Sequence, residues 1–241
     1  MQVARAIAFY AFMSITAIVF GVIGIVMPLT PYRFRSRFFI SFNRVMLWAL
    51  KHICGVTCRV RGMENLPQGQ PFVIMAKHQS TWEAIFFQWF FHPTSIILKK
   101  ELLKIPFFGW GLAQCRPIAI DRSNPKEALK KVKTYGQKRL DEGNNVLVFP
   151  EGTRTPVGKA GNYARSGADI AINASAPLIP VAHNAGVYWP MKKWLKNPGT
   201  IEVVIGAAIA TEGRTSKVVT AEAKDWIEAE VAKMAQQSPV H

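Results

Sequence analysis

Cysteine is scarce in this chain, acidic residues are outnumbered, and no tract is of low complexity. Only Cys54, Cys58 and Cys115 occur in 241 residues. A small odd number argues against a disulfide framework, and no second Cys/His pair is placed to complete a zinc site with Cys54 and Cys58. All three read as reduced thiols in a domain facing the cytosol. No G-x-S-x-G elbow occurs, so a hydrolase's serine nucleophile has no sequence support. Zinc-finger, RNA-recognition and helix-turn-helix signatures are also missing, so nothing marks a nucleic-acid partner. Against 15 acidic residues stand 30 Lys and Arg, a net charge of +15. Such a balance suits an anionic membrane surface or anionic substrates.

Charge is wholly absent from Ala6 to Leu29. As a helix this run extends about 35 Å, enough for a hydrocarbon core of about 30 Å. It is long for a signal-peptide core, and no A-x-A cleavage site follows. A membrane-anchoring helix is the expectation, with a buried soluble helix as the competitor. Arg33, Arg35, Arg37 and Arg44 follow the run, and only Arg5 precedes it. That asymmetry places the remainder of the chain on the cytoplasmic face, of the inner membrane in a bacterium. Gly21, Gly24 and Pro28 allow a bend, so a shallow re-entrant insertion is the alternative to spanning. Phe38 to Cys54 reads as an amphipathic helix, lying at the membrane interface or packed on the domain.

From residue 55 onward, strand and helix patterns alternate. Strands are expected at Val56–Val60, Pro71–Met75, Ser95–Leu98, Pro117–Ile120, Asn145–Phe149, Pro177–Val181 and Ile201–Ile205. Helices are expected at 81–92, 168–174, 220–236 and from Asn124, where Pro125 and Glu127 complete a start signal and Gly143 marks the stop. The fold class is therefore α/β: a mostly parallel central sheet flanked by helices, preceded by an N-terminal membrane-anchoring helical segment. Residues 1–54 form the membrane-associated part and 55–241 the α/β domain.

Two strand ends carry the polar chemistry, where open α/β sheets place their sites. After Pro71–Met75 comes Ala76-Lys77-His78-Gln79-Ser80-Thr81-Trp82-Glu83. His78 can accept a proton near neutral pH, and Glu83 can fold back to hold its tautomer, giving a base with an orienter. The same residues also spell a capping box, Ser80-x-x-Glu83, in which the carboxylate serves only the helix. After Asn145–Phe149 comes Pro150-Glu151-Gly152-Thr153-Arg154-Thr155. Gly152 permits a tight bend, Arg154 presents a planar fork suited to phosphate, and Thr153 and Thr155 can donate further bonds. Lys99 and Arg122 follow two other strands, so cations at several strand ends are expected to share one edge of the sheet.

Taken in order, His78-x4-Glu83, the run Lys99 to Gly111, Ile120-Asp121-Arg122, Phe149 to Arg154 and Pro177-Leu178-Ile179-Pro180-Val181 resemble the motif blocks of the glycerolipid acyltransferases. The likeness covers roughly residues 55 to 210. It is to the bacterial members that make phosphatidic acid from 1-acyl-glycerol-3-phosphate. The resemblance implies that His78 is the base, with Glu83 beside it where the family usually has aspartate. It implies phosphate-binding positions at Arg154 and Lys99, carried by the turn of Glu151, Gly152 and Thr153 with Arg122 nearby. Pro177 and Pro180 would lie in a block associated with the acyl chain. It further implies acyl-CoA or acyl-carrier protein as co-substrate, lysophosphatidic acid as membrane-lipid partner, direct transfer without an acyl-enzyme, and neither metal nor cofactor. Alternative readings are another lysolipid acceptor, such as a lyso-ornithine lipid, a hydrolase, or a non-catalytic basic membrane lipid-binding protein.

Overall fold

Val73, Ile74, Met75 and Ala76 are all buried because their strand lies mid-sheet with a helical layer on each face. The computed structural model describes residues 1–237. Its strands are β1 Val56–Arg61, β2 Val73–Ala76, β3 Thr94–Lys99, β4 Ile118–Ile120, β5 Asn145–Val148, β6 Leu178–His183 and β7 Gly199–Ile205. Its helices are α1 Gln2–Ile23, α2 Tyr32–Cys54, α3 Trp82–Phe90, α4 Phe108–Gln114, α5 Pro125–Asp141, α6 Ser166–Asn173, α7 Ala185–Tyr188 and α8 Ser216–Gln237. The sheet order is β1-β7-β6-β2-β5-β3-β4. From β6 to β4 the strands are parallel, whereas β7 runs antiparallel to β6 and pairs in parallel with β1.

Alternation along β2 divides the interior. Ile74 and Ala76 face a core with Phe9 of α1, Leu50 of α2 and Trp82, Phe86 and Phe87 of α3. Val73 and Met75 face a second core with Val132 of α5, Ile170 of α6 and Val219, Ala223 and Ile227 of α8. The start of α5 is capped as expected: Glu127 N–H donates to Asn124 Oδ1 at 3.2 Å, with Pro125 in the first turn.

Between the two readings of α2, packing on the domain is what is found. Phe39, Ile40, Asn43, Met46, Ala49, Leu50 and Cys54 form its buried stripe, while Phe34 and Trp48 stay exposed on the other side. Helix α1 is different. Only Ala6, Phe9 and Gly21 are buried along it, and Ile7, Ile15, Ile18, Val19 and Val22 are exposed. It is one helix long and apolar enough to cross a membrane. The α-helix stops at Ile23, earlier than the uncharged run, and Met27–Leu29 forms a separate 3-10 turn.

Among the contacts that tie α1 to the body, two stand out. The Lys196 ammonium sits 3.7 Å from the Tyr10 ring centre, 4.6 Å from that of Trp189 and 5.3 Å from that of Phe9. Gly21 lies directly against the backbone of Phe107, where an added Cβ would come within 2.4 Å of the Phe107 Cβ. Phe107 has φ 61° and ψ −58°, and the Phe108 N–H reaches Pro106 O at 2.6 Å, closing a γ-turn. Among the aromatic residues after β2 and β3, Trp82, Phe86, Phe87 and Phe91 are core, whereas Phe108 and Trp110 are exposed.

Candidate active site

His78 belongs to the turn between β2 and α3, at the carboxyl edge of the parallel strands. Its Nδ1 is 2.8 Å from Glu83 Oε1, and its ring stacks on Phe149 with centres 4.3 Å apart. Glu83 Oε1 also accepts the N–H groups of Gln79 at 2.9 Å and Ser80 at 2.7 Å. An oxygen collecting backbone donors acts as a carboxylate, so His78 Nδ1 carries the proton and donates it. The bare nitrogen is then Nε2. The orienter and the capping box are thus one device, with the Ser80 hydroxyl accepting the Trp82 N–H at 3.1 Å.

Glu83 is fully buried. Burial by itself would raise its carboxyl; the His78 hydrogen bond, the nearby His183 and His78 rings and the Ser80 amide outweigh burial and hold it below the usual range. Behind it lies His183, also fully buried, whose Nε2 donates to Lys77 O at 2.8 Å while its Nδ1 accepts the Ala185 N–H at 3.2 Å. Those two bonds define a neutral imidazole, and burial pushes its basicity down.

The second turn is stitched to the first. Thr155 N–H donates to His78 O at 2.8 Å, and the Glu151 Oε2 accepts the His78 N–H at 2.8 Å. Arg154 therefore stands one residue from a direct backbone bond to His78. Its Nε is buried without a partner. Gly152 turns with φ +68° and open space around it, and Thr153 is exposed. Glu151 is placed otherwise than a phosphate-facing residue: its side chain is fully buried and also bonded to Lys77 Nζ at 2.6 Å. Thr155 likewise spends its donors on His78 O and Glu151.

Lys99 and Arg122 reach the same edge, at the ends of β3 and β4. In register, β3 lies two strand spacings from β2, about 10 Å away, and β4 one further. Lys99 is half exposed with its Nζ 3.8 Å from Glu101, and Arg122 is exposed. Pro177 and Pro180 are not brought to the turn. Pro177 precedes β6 at the opposite end of the strand, where its carbonyl accepts the Val73 N–H. Pro180 pairs with Met75 and faces Gly206 and Trp226, on the α8 side of the sheet and away from His78.

Beside Trp82 a groove of about 350 Å³ opens between α2, β1 and α3. Leu47, Trp48, Trp82, Phe86 and Trp89 make its apolar lining, with Arg44 and Lys51 on α2 supplying charge. Sequence reasoning missed this groove, along with Lys77, Phe149 and His183. One signal was available for Lys77: it continues the alternation of Val73 and Met75 onto a buried face.

The family model described as Acyltransferase matches residues 57–184. Over 242 residues the chain is 47% identical to the 1-acyl-sn-glycerol-3-phosphate acyltransferase of Pseudomonas aeruginosa, covering 99% of this chain and 93% of that one. It is 28% identical to the mouse 1-acyl-sn-glycerol-3-phosphate acyltransferase alpha, across 80% of this chain and 69% of the relative. The crystal structure of the 1-acyl-sn-glycerophosphate acyltransferase from Thermotoga maritima shares the fold, with a TM-score of 0.81, 21% identity, and coverage of 97% of this chain and 96% of that one.

Proposed function

The chain belongs to the acyltransferase family and is an enzyme of it, and we propose that it moves an acyl chain from acyl-CoA or acyl-carrier protein to the free hydroxyl of 1-acyl-glycerol-3-phosphate, giving phosphatidic acid. His78 is the general base. With Nδ1–H held by Glu83, Nε2 takes the hydroxyl proton as the oxygen attacks the thioester carbonyl. The carbon–sulfur bond then breaks, and the thiolate recovers that proton. No acyl-enzyme forms. Arg154, with Lys99 and Arg122 along the edge and Thr153 and Gly152 in its turn, receives the acceptor phosphate. Holding both substrates in one complex supplies much of the acceleration. The apolar groove beside Trp82 suits an acyl chain better than Pro177 or Pro180 does, because Trp82, Phe86 and Trp89 of its lining stand on α3, the helix that follows the His78 turn.

Residues 1–54 form the membrane-associated part in this reading, and 55–241 the acyltransferase domain, on the cytoplasmic face. The exposed apolar side of α1 supports it, together with exposed Phe34, Trp48, Phe108 and Trp110. Basic residues at the start of α2 suit an anionic surface.

One observation carries the mechanism: the His78 Nδ1 lies 2.8 Å from an oxygen that already accepts two backbone N–H groups. The test is His78→Ala in detergent with labelled acyl-CoA and a panel of lysolipid acceptors. Phosphatidate formation should fall by about 10²–10⁴-fold. A near-native rate overturns the base assignment, and a preferred acceptor without a phosphate monoester overturns the substrate assignment.

A further inference from the structure

A charged side chain stands where the α8 face of β2 would be expected to continue in hydrophobes. Lys77 follows Val73 and Met75 in alternation and is fully buried. Its Nζ donates to Glu151 Oε1 at 2.6 Å, Glu228 Oε1 at 2.8 Å and Lys159 O at 3.1 Å, so each ammonium proton has an acceptor. The cluster holds one cation and two carboxylates. Its excess negative charge meets another donor, the Tyr163 hydroxyl, 2.8 Å from Glu228 Oε1. Burial first, then the charges of Glu151 and Glu228, push the Tyr163 phenol far up, so it remains a donor.

Buried ion clusters of this kind are poor sources of stability, since well-packed hydrophobes commonly do as well. What this one touches, through Glu151, is the backbone of His78 at the strand end. Glu151, held by Lys77 through Oε1, takes the His78 N–H on Oε2. The Thr155 hydroxyl donates to Glu151 Oε1 at 3.0 Å, and the Thr155 N–H closes back on His78 O. Both backbone polar groups of His78 are thereby set by the Glu151–Thr155 turn that carries Arg154. Among the described residues, neither Lys77 nor Glu228 is bonded to the ring of His78 or to the Arg154 side chain.

We propose that Lys77 and Glu228 are positioning residues for acyl transfer: α8 holds Lys77, Lys77 holds Glu151, and Glu151 fixes the spacing between the His78 base and the Arg154 turn. This rests on the reading of His78 as base. Displacement of that base by a fraction of an ångström lowers the rate of the chemical step while leaving phosphate affinity alone. The effect therefore falls on kcat and spares KM.

The experiment compares Glu228→Ala, Glu228→Gln and Lys77→Met in the full chain, purified in detergent, with lysophosphatidate and acyl-CoA as substrates. Glu228 is the milder site, at the edge of the cluster with its side chain 22% exposed. Glu228→Ala should lower kcat about tenfold, with KM for lysophosphatidate within about twofold and unfolding well above the assay temperature. Glu228→Gln keeps an oxygen acceptor for Lys77 and Tyr163 and should recover most of the loss. Native kcat in folded Glu228→Ala overturns the proposal, and so does a loss that Gln does not relieve. Folded Lys77→Met should lose at least as much as Glu228→Ala, and native kcat there overturns it equally; if Lys77→Met does not fold, the Glu228 pair decides. His78→Ala in the same assay separates the two ideas: an active His78→Ala defeats the base reading, whereas an inactive one beside a fully active Glu228→Ala defeats only this proposal.

Discussion

A single oxygen of Glu83 lies 2.8 Å from Nδ1 of His78 and also receives the amides of Gln79 and Ser80 in the turn ahead of α3. Orientation of the imidazole and initiation of the helix are consequently one event. Glu83→Gln keeps the length but removes the charge, leaving weaker bonds to three donors. We expect kcat to fall about 10–100-fold and stability to fall by about 1–3 kcal/mol. Glu83→Asp is one methylene short of the three donors and should also lose stability. Steady-state rates paired with denaturant unfolding check both, and a rate loss with unchanged stability would separate the two roles.

Arg154 has a buried Nε with no partner and neighbours a turn bonded directly to His78. Arg154→Ala should raise KM for lysophosphatidate about tenfold or more, the loss of charge-assisted bonds worth roughly 1.5–3 kcal/mol. Arg154→Lys should recover only part of it, because a point charge does not replace a planar fork. A lowered kcat at unchanged KM would contradict a ground-state phosphate contact.

Acid should destabilise the fold in two windows. Buried His183 is neutral, with its folded pKa lowered by burial, and half-buried His92 is lowered the same way. The unfolded chain therefore takes up protons below about pH 6.5 that the native state refuses, and stability declines as pH falls from there. Glu83, held low in the fold despite its burial, adds a second decline below about pH 4.3. Each proton contributes a slope of at most about 1.4 kcal/mol per pH unit. Urea unfolding at pH 7.5, 6.5 and 5.5 measures the first window, and His183→Gln should flatten it.

The close approach of α1 to the Phe107 turn leaves no room for a side chain at Gly21. Gly21→Val should cost about 1–3 kcal/mol, the usual range for overpacking, and loosen α1 from the turn. Thermal unfolding and hydrogen exchange across residues 105–110 report it.

Ile15 and Val19 are 64% and 49% exposed on α1. Ile15→Glu with Val19→Glu should weaken retention on anionic vesicles in a flotation assay while leaving the unfolding temperature nearly unchanged, since neither residue is in the core. Undiminished flotation would mean that other surfaces carry the membrane contact.

Strand positions were legible because each is a short apolar run bounded by turn residues, and β1 to β6 lie within a residue or two of expectation. Direction was not legible: periodicity reports which residues are buried, and β7 reverses with nothing in its own pattern to say so. Helices α4 and α7 escaped because they are short and rich in glycine or alanine, with no amphipathic period to read. His78 and the Arg154 turn could be located from their places after two buried strands. Spacing alone could not choose between orienter and cap for Glu83, since i to i+3 and i to i+5 geometry are satisfied together by one oxygen. Lys77 stayed hidden because the strand was ended at Met75, and Pro177 and Pro180 were grouped with the site by motif order although strand alternation turns Pro180 to the other face.

The pairing of β1 with β7 has a consequence for biosynthesis. Val56 finds its partner Gly199 only across most of the polypeptide. While the ribosome is still delivering the intervening residues, β1 waits as an open edge next to helices already made, a state prone to wrong association. Completion of the border of the sheet is therefore a late step in the birth of the molecule, since β1 has no strand partner until residues 199–205 emerge.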